Sequence, residues 1–182
     1  MRPTIQNQIE PERALFIGAQ QGVRRFLSFG AKMDLYCFAS ATETNIWAGI
    51  GAGLWAVASS PNDAFMQGRR TKAAKMQIGA LGLLYCARTS SFTTPFVVLS
   101  QPDPINIVTN VWPEEWCLPF KIRPLGSPAK QMAGAAAANH WPVLKASTSN
   151  TTATMNLTGT TVFVPKQISV DDWAFIMRDL AL

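Results

Sequence analysis

The chain has 182 residues, of which 48% are hydrophobic and 15% are charged, so its composition excludes wholesale disorder. Twelve glycines and twelve prolines favour β structure with many turns over a helix bundle. The formal net charge is +5, and no apolar run reaches the ~20 residues that a membrane helix needs.

The first third of the chain predicts a helix, an apolar stretch and a buried strand. Apolar residues near helical spacing predict a helix over 11–29, and residues 34–39 form a short apolar stretch of unclear type. Residues 46–58 are apolar and interrupted by glycines. We interpret them as a glycine-rich segment followed by a buried strand over 54–60.

The rest of the chain predicts one further helix or loop, four strands and a final helix. Residues 62–76 are predicted to form a helix or loop with a basic face, and Asn62 is a candidate N-cap. Strands are predicted near 81–87, 94–100, 118–125 and 160–164. Ser169 is placed to cap a helix over 169–181, with an apolar face that includes Trp173. This order predicts an α+β domain with a small closed or partly closed β-barrel.

Basic residues are concentrated in one window of the sequence. No acidic residue lies between Asp63 and Asp103. That window contains Arg69, Arg70, Lys72, Lys75 and Arg88. The basic face of 62–76 is therefore either an ordinary solvated surface or a contact surface for phosphates.

The reactive side chains of the sequence argue against catalysis. His140 is the only histidine, so a multi-histidine metal site is excluded, and Cys37, Cys86 and Cys117 form no CxxC motif. A Cys–His nucleophile pair is formally possible but has no obvious orienting partner. We therefore expect no enzyme activity, no cofactor and no metal. The cysteines are odd in number and far apart in the sequence, and no signal peptide is visible, so we predict a cytoplasmic protein.

The order of several short motifs resembles the EVE domain family, a member of the PUA-like superfamily related to YTH domains. The resemblance covers about residues 52–182. The motifs occupy residues 54–61, 75–85, 95–100, 111–125, 157–163 and 168–173. The family usually has Gly-Asp where this chain has Gly79-Ala80, and it often has tyrosine at the position of Leu118. Residues 1–50 have no counterpart in the family. They are interpreted as a partly helical or disordered extension, or as including residues that precede a true start at Met33.

The resemblance implies a PUA-like mixed β-barrel flanked by short helices, over residues 51–182. It also implies a non-catalytic module that binds DNA or RNA and holds a flipped or unpaired, modified base in an aromatic pocket. The alternatives are an adaptor in a modification-dependent restriction or RNA-modification system and, less favoured, a small hydrolase or nuclease. No membrane partner is expected.

The candidate pocket combines aromatic and polar side chains. The expected base-binding residues are Trp55, Ser59, Ser60, Asn62, Tyr85, Trp112 and Trp116. The expected phosphate-binding residues are Arg69, Arg70, Lys72 and Lys75. Each has a structural alternative: core packing for the aromatic residues, and turn chemistry for Ser59, Ser60 and Asn62. Two tryptophans in one loop are hard to bury together, so one of Trp112 and Trp116 is expected either to plug the end of the barrel or to form a half-exposed pocket wall. We interpret Glu114 and Glu115 as surface residues.

Overall fold

Strands and short helices alternate along residues 32–182, the part of the chain that this computed structural model describes. The strands are β1 (Met33–Ser40), β2 (Leu54–Ala58), β3 (Leu81–Cys86), β4 (Ser91–Val98), β5 (Ile107–Val108), β6 (Trp116–Pro124), β7 (Met132–Ala133) and β8 (Lys166–Ile168). The helices are α1 (Glu43–Ala52), α2 (Asp63–Ala73), α3 (Gly134–His140), α4 (Pro142–Lys145), α5 (Thr151–Thr154) and α6 (Val170–Leu180). The helix predicted over 11–29 lies outside the described residues.

The strands form a mixed sheet in the order β2-β6-β4-β3-β1-β8, with β5 also paired to β6 and β7 to β4. β1 runs parallel to β3, whereas the other paired strands are antiparallel. The predicted α+β class, a mixed sheet with short flanking helices, is confirmed.

The side chains of the central strands divide between two hydrophobic clusters. In β1, Tyr36 and Phe38 belong to the first cluster, whereas Leu35 and Cys37 belong to the second. Successive side chains of a strand point to opposite faces, so the sheet is covered on both sides. This explains why residues 35–38 form an unbroken apolar run without the alternation of a half-exposed strand.

Most predicted elements after residue 53 are confirmed, but the strand predicted over 160–164 is wrong. Those residues form turns, and Phe163 has a left-handed φ of 62° that an extended strand cannot contain. The Thr158 and Thr161 hydroxyls lie 2.7 Å apart, and the Thr161 N–H donates to the Thr158 carbonyl. Such local hydrogen bonds compete with strand pairing, and the last strand begins only at Lys166.

Strand β1 and helix α1 precede or span residue 51, the predicted start of the domain, and belong to the compact unit Lys32–Leu182 together with the later strands. β1 lies between β3 and β8, and the stretch interpreted as a glycine-rich segment is helix α1. Thr42 accepts the Asn45 N–H at the start of α1, and Gly53 ends it with a left-handed φ of 62°. Gly49 allows close packing, because a Cβ there would lie 2.8 Å from the Trp55 ring. Residues 33–50 therefore belong to the domain.

Candidate functional site

A cavity of about 200 Å³ opens beside the first hydrophobic cluster. It is bounded by the end of β1, by β2, by the first turn of α1, by Arg69 in the middle of α2, and by the turn after residue 155. The side chains that matter for its chemistry belong to Ser40, Asn45, Trp55, Arg69, Glu114 and Trp116. We call it the tryptophan cavity.

Three tryptophans pack together at this cavity. The rings of Trp112 and Trp116 stack with centroids 4.3 Å apart, and the Trp55 ring meets both at nearly right angles. Their exposed fractions are 0% for Trp55, 3% for Trp112 and 4% for Trp116. The expectation of a half-exposed wall is therefore wrong. Trp112 and Trp116 stack on each other and meet the Trp55 ring edge-on, so both have apolar neighbours.

The three indole N–H groups differ in their hydrogen bonding. The Trp112 Nε1–H donates to the Asn45 carbonyl oxygen at 2.9 Å. The Nε1 atoms of Trp55 and Trp116 are buried and have no partner among residues 32–182. A buried donor without an acceptor costs about 1–3 kcal/mol. Trp55 and Trp116 line the cavity, whereas Trp112 does not.

Polar groups lie at the edge of the tryptophan cavity. The Asn45 side-chain amide donates a long hydrogen bond of 3.5 Å to Glu114 Oε1. Sequence reasoning missed Asn45, because it lies in a helix that was not predicted. Glu114 is exposed, as expected of a surface residue, but it also lines the cavity. No local sequence signal joins residues that are 69 positions apart.

Arg69 forms part of the cavity wall. Its Nη1 donates to the Ala58 carbonyl oxygen at 2.7 Å, and its guanidinium lies over the Phe65 ring. Burial lowers the pKa of Arg69, and the neighbouring Cys117 thiol opposes that shift. The Arg69 side chain therefore ties α2 to the end of β2.

The other basic residues of α2 have different surroundings. Lys72 is half-buried, and its Nζ donates to the Thr160 carbonyl oxygen at 2.7 Å. Arg70 and Lys75 are exposed, and within residues 32–182 their side chains form no ion pair or hydrogen bond. Of the four predicted phosphate ligands, Arg70 and Lys75 remain available for solvent or a ligand.

Three of the predicted polar and aromatic pocket residues lie elsewhere. Ser59 and Ser60 line a second cavity of about 250 Å³, together with Arg70 and Glu115. Tyr85 belongs to the second hydrophobic cluster, where its ring packs edge-on against Phe92 at 5.1 Å. The tryptophan cavity therefore gathers Trp55, Trp116 and Arg69 from the predicted site, without these three residues.

Asn62 acts as a helix cap. Its Oδ1 accepts the Phe65 N–H at 3.0 Å, and its own N–H donates to Ser60 Oγ at 3.3 Å. The first of these bonds satisfies one free N–H in the first turn of α2, and both are the turn chemistry expected as the alternative to base-edge recognition.

The reactive residues form no recognisable catalytic group in the described part of the chain. Residues 32–182 contain no group of three or more His, Cys, Asp or Glu side chains placed to hold a metal ion. Burial raises the pKa of the Cys37 thiol, which Lys166 opposes, so Cys37 stays protonated at neutral pH. His140 instead contacts Asp179 and Arg178. No helix in this region is long and apolar enough to cross a membrane.

No family model and no curated protein matches the chain. It is similar to the solved YTH domain of Zygosaccharomyces rouxii MRB1 in complex with N6-methyladenosine RNA, at 12% identity and a TM-score of 0.49, over 80% of this chain and 85% of that one. A Toxoplasma CPSF4-YTH domain in apo form has 17% identity and a TM-score of 0.38, over 56% of this chain and 62% of that one. A hypothetical protein from Leishmania major has 10% identity and a TM-score of 0.47, over 80% of this chain and 93% of that one.

The chain thus spans less than two thirds of the Toxoplasma structure. The TM-scores of these three structures are all below 0.5.

Proposed function

We propose that this chain is a non-catalytic nucleic-acid-binding module whose tryptophan cavity holds an unpaired or flipped base. One observation carries the proposal: Trp55 and Trp116 line the same cavity, and each has a buried indole N–H without a partner in residues 32–182. An acceptor atom of a base that enters the cavity, after a small turn of either ring, can take one of these donors and offset its cost.

The size of the cavity supports a single base. At about 200 Å³ it is smaller than the ~300–1,000 Å³ of pockets for drug-sized ligands. Trp112 and Trp116 are in stacking contact, so no ring fits between them as they stand. We therefore place the base on the side of Trp55 and Trp116 that faces Asn45, Arg69 and Glu114.

The charge on α2 supports a nucleic acid over a free nucleoside. Arg70 follows Arg69 along the helix, and Lys75 lies just beyond its end. Both are exposed in a window without acidic residues. Phosphates that flank a bound base would meet these cations, which add affinity without reading sequence.

The finer assignments remain part of this proposal. Membership of the EVE family and a preference for a modified base rest on the motif resemblance of residues 52–182. A cytoplasmic location remains a prediction from the cysteines and from the N-terminal sequence. Base extrusion costs a few kcal/mol, which aromatic contact of ~1–3 kcal/mol and contacts to flanking phosphates would offset.

Calorimetric titration tests the proposal. The unmodified chain is titrated with nucleosides, modified nucleosides and short DNA and RNA strands, and the titrations are repeated with Trp116→Phe and Trp47→Phe. Trp116→Phe keeps an aromatic ring but removes the unpartnered N–H, so we expect roughly two- to tenfold weaker binding. Trp47 is 50% exposed and does not line the cavity, so its variant should bind normally.

Two outcomes contradict the proposal in different ways. If no nucleoside or oligonucleotide binds the unmodified chain, the function is wrong. If ligands bind but Trp116→Phe and Trp47→Phe behave alike, the base lies outside the tryptophan cavity.

A further inference from the structure

The adjacent residues Glu114 and Glu115 face different cavities. Glu114 lines the tryptophan cavity, whereas Glu115 lines the second cavity with Ser59 and Arg70. Both side chains are exposed. They carry the same charge at neighbouring positions, so one is a matched control for the other.

Glu114 is oriented by α1. Its Oε1 accepts the long hydrogen bond from the Asn45 side chain. The main chain of Asn45 is held at both ends, since its N–H donates to Thr42 Oγ1 and its carbonyl oxygen accepts the Trp112 indole N–H. Through Asn45, the Glu114 carboxylate is thus connected to α1 and to Trp112.

The Glu114 carboxylate keeps unused acceptor capacity. Both ion pairs within residues 32–182 involve Asp179, so no described cation neutralises Glu114 at 4.0 Å or less. A carboxylate offers only acceptors, on two oxygens that suit a bidentate donor. One N–H from Asn45 leaves most of this capacity available.

We propose that Glu114 selects the base that enters the tryptophan cavity, and that the selected base is a guanine. This inference rests on the proposed function. Guanine presents two adjacent donors, the N1–H and the N2 amino group, which match the two oxygens of a carboxylate. Adenine and cytosine each place a ring-nitrogen acceptor beside their amino group, and uracil flanks its single N–H with two carbonyls, so a carboxylate repels part of each edge.

The test compares wild type, Glu114→Gln and Glu115→Gln by calorimetry with guanosine, inosine, N1-methylguanosine and adenosine. Glutamine presents one acceptor and one donor group, so it loses part of the bidentate contact and opposes a guanine donor. We expect Glu114→Gln to weaken guanosine binding on the order of ten- to a hundredfold. Inosine, which lacks the amino group, and N1-methylguanosine, which lacks the N1 donor, should bind wild type more weakly than guanosine.

The control variant should leave this order of affinities unchanged. Glu115→Gln removes the same charge next to the cavity, so we expect guanosine affinity within about twofold of wild type. Adenosine should bind Glu114→Gln at least as well as wild type, because the amide no longer repels its ring nitrogen. Thermal midpoints of both variants that equal the wild-type midpoint confirm that folding is unaffected.

The outcomes separate the two proposals. If no nucleoside binds wild type, the proposed function fails. If nucleosides bind but guanosine is not preferred, or if the two variants lose guanosine affinity equally, the role of Glu114 is overturned, while the comparison of Trp116→Phe with Trp47→Phe still decides whether the base lies in the cavity.

Discussion

The indole rings of Trp112, in the loop before β6, and Trp116, the first residue of β6, stack at 4.3 Å with their planes only 12° apart. Trp55 supports the pair edge-on from the neighbouring strand. All three rings are buried. Trp55 and Trp116 are therefore both cavity wall and hydrophobic core, so large truncations of them cannot separate an effect on the cavity from an effect on folding.

Truncation of the tryptophan cluster should destabilise the fold. Trp55→Ala and Trp116→Ala each remove a buried aromatic side chain, and we expect a loss of about 3–5 kcal/mol in unfolding free energy. Trp47→Ala removes a half-exposed ring and should cost far less. Urea denaturation followed by circular dichroism measures all three. A small loss in Trp55→Ala would contradict the packing.

Replacement by phenylalanine should distinguish Trp112 from Trp116. Trp112→Phe leaves the Asn45 carbonyl oxygen without its indole donor, so we expect about 1–3 kcal/mol in addition to the cost of lost volume. Trp116→Phe removes a donor that has no partner in the described residues, and it should therefore cost less. Equal urea midpoints would argue against this difference in hydrogen bonding.

The exposed cations near α2 should set the salt dependence of nucleic-acid binding. Arg70→Ala with Lys75→Ala should weaken binding similarly for all sequences and reduce the slope of log affinity against log salt by ~1.4 on single strands, about 0.7 per phosphate contact. The exposed pair Lys121 and Arg123 on β6 provides a control with the same loss of charge. An equal change in slope for both pairs would assign the effect to net charge.

Arg69→Ala should act mainly on folding. Its guanidinium donates to the Ala58 carbonyl oxygen and covers the Phe65 ring. We expect a lower thermal midpoint than in Arg70→Ala, whose exposed side chain has no partner within residues 32–182. Matching midpoints would show that the link between α2 and β2 contributes little to stability.

Acid should weaken the contact between Trp141 and α6. Burial raises the pKa of Asp179, but hydrogen bonds from Trp141 and Arg178 and the charges of Arg178 and His140 outweigh it, so the net pKa lies below the ordinary 3.8. A lowered carboxyl pKa stabilises the fold above the unfolded value, and that stability is lost as pH falls through the folded pKa. Unfolding free energies of wild type and Asp179→Asn should therefore differ at pH 7 and converge in acid. A constant difference would contradict the linkage.

Two glycines should respond oppositely to alanine. A Cβ on Gly82 would collide with the Phe96 ring, so Gly82→Ala must displace a buried side chain and should destabilise strongly. Gly51 lies in α1, where an added Cβ would meet no atom within 4 Å, and Gly51→Ala should stabilise by ~0.5–1 kcal/mol. Thermal midpoints that moved in the same direction would contradict the packing of β3 on β4.

Local chemistry made several elements predictable from the sequence. Asn62 and Ser169 cap the helices that follow them, because the capping bonds join residues three positions apart. The strand from Leu54 and the helix from Val170 occur close to their predicted positions. In contrast, β1 has the continuous apolar pattern of a strand covered on both faces, which periodicity alone does not distinguish from a helix.

The sequence by itself determined the α+β fold class and the caps of α2 and α6, Asn62 and Ser169. The tertiary structure alone decided which residues meet. The pleat and register of β3 place Tyr85 in the second cluster, whereas Trp55, Trp112 and Trp116 belong to the first. Long-range packing brings Asn45 to Glu114 across 69 positions of sequence, a distance over which local spacing carries no signal. Burial of Trp112 and Trp116 likewise depends on their contact with Trp55, which belongs to another strand.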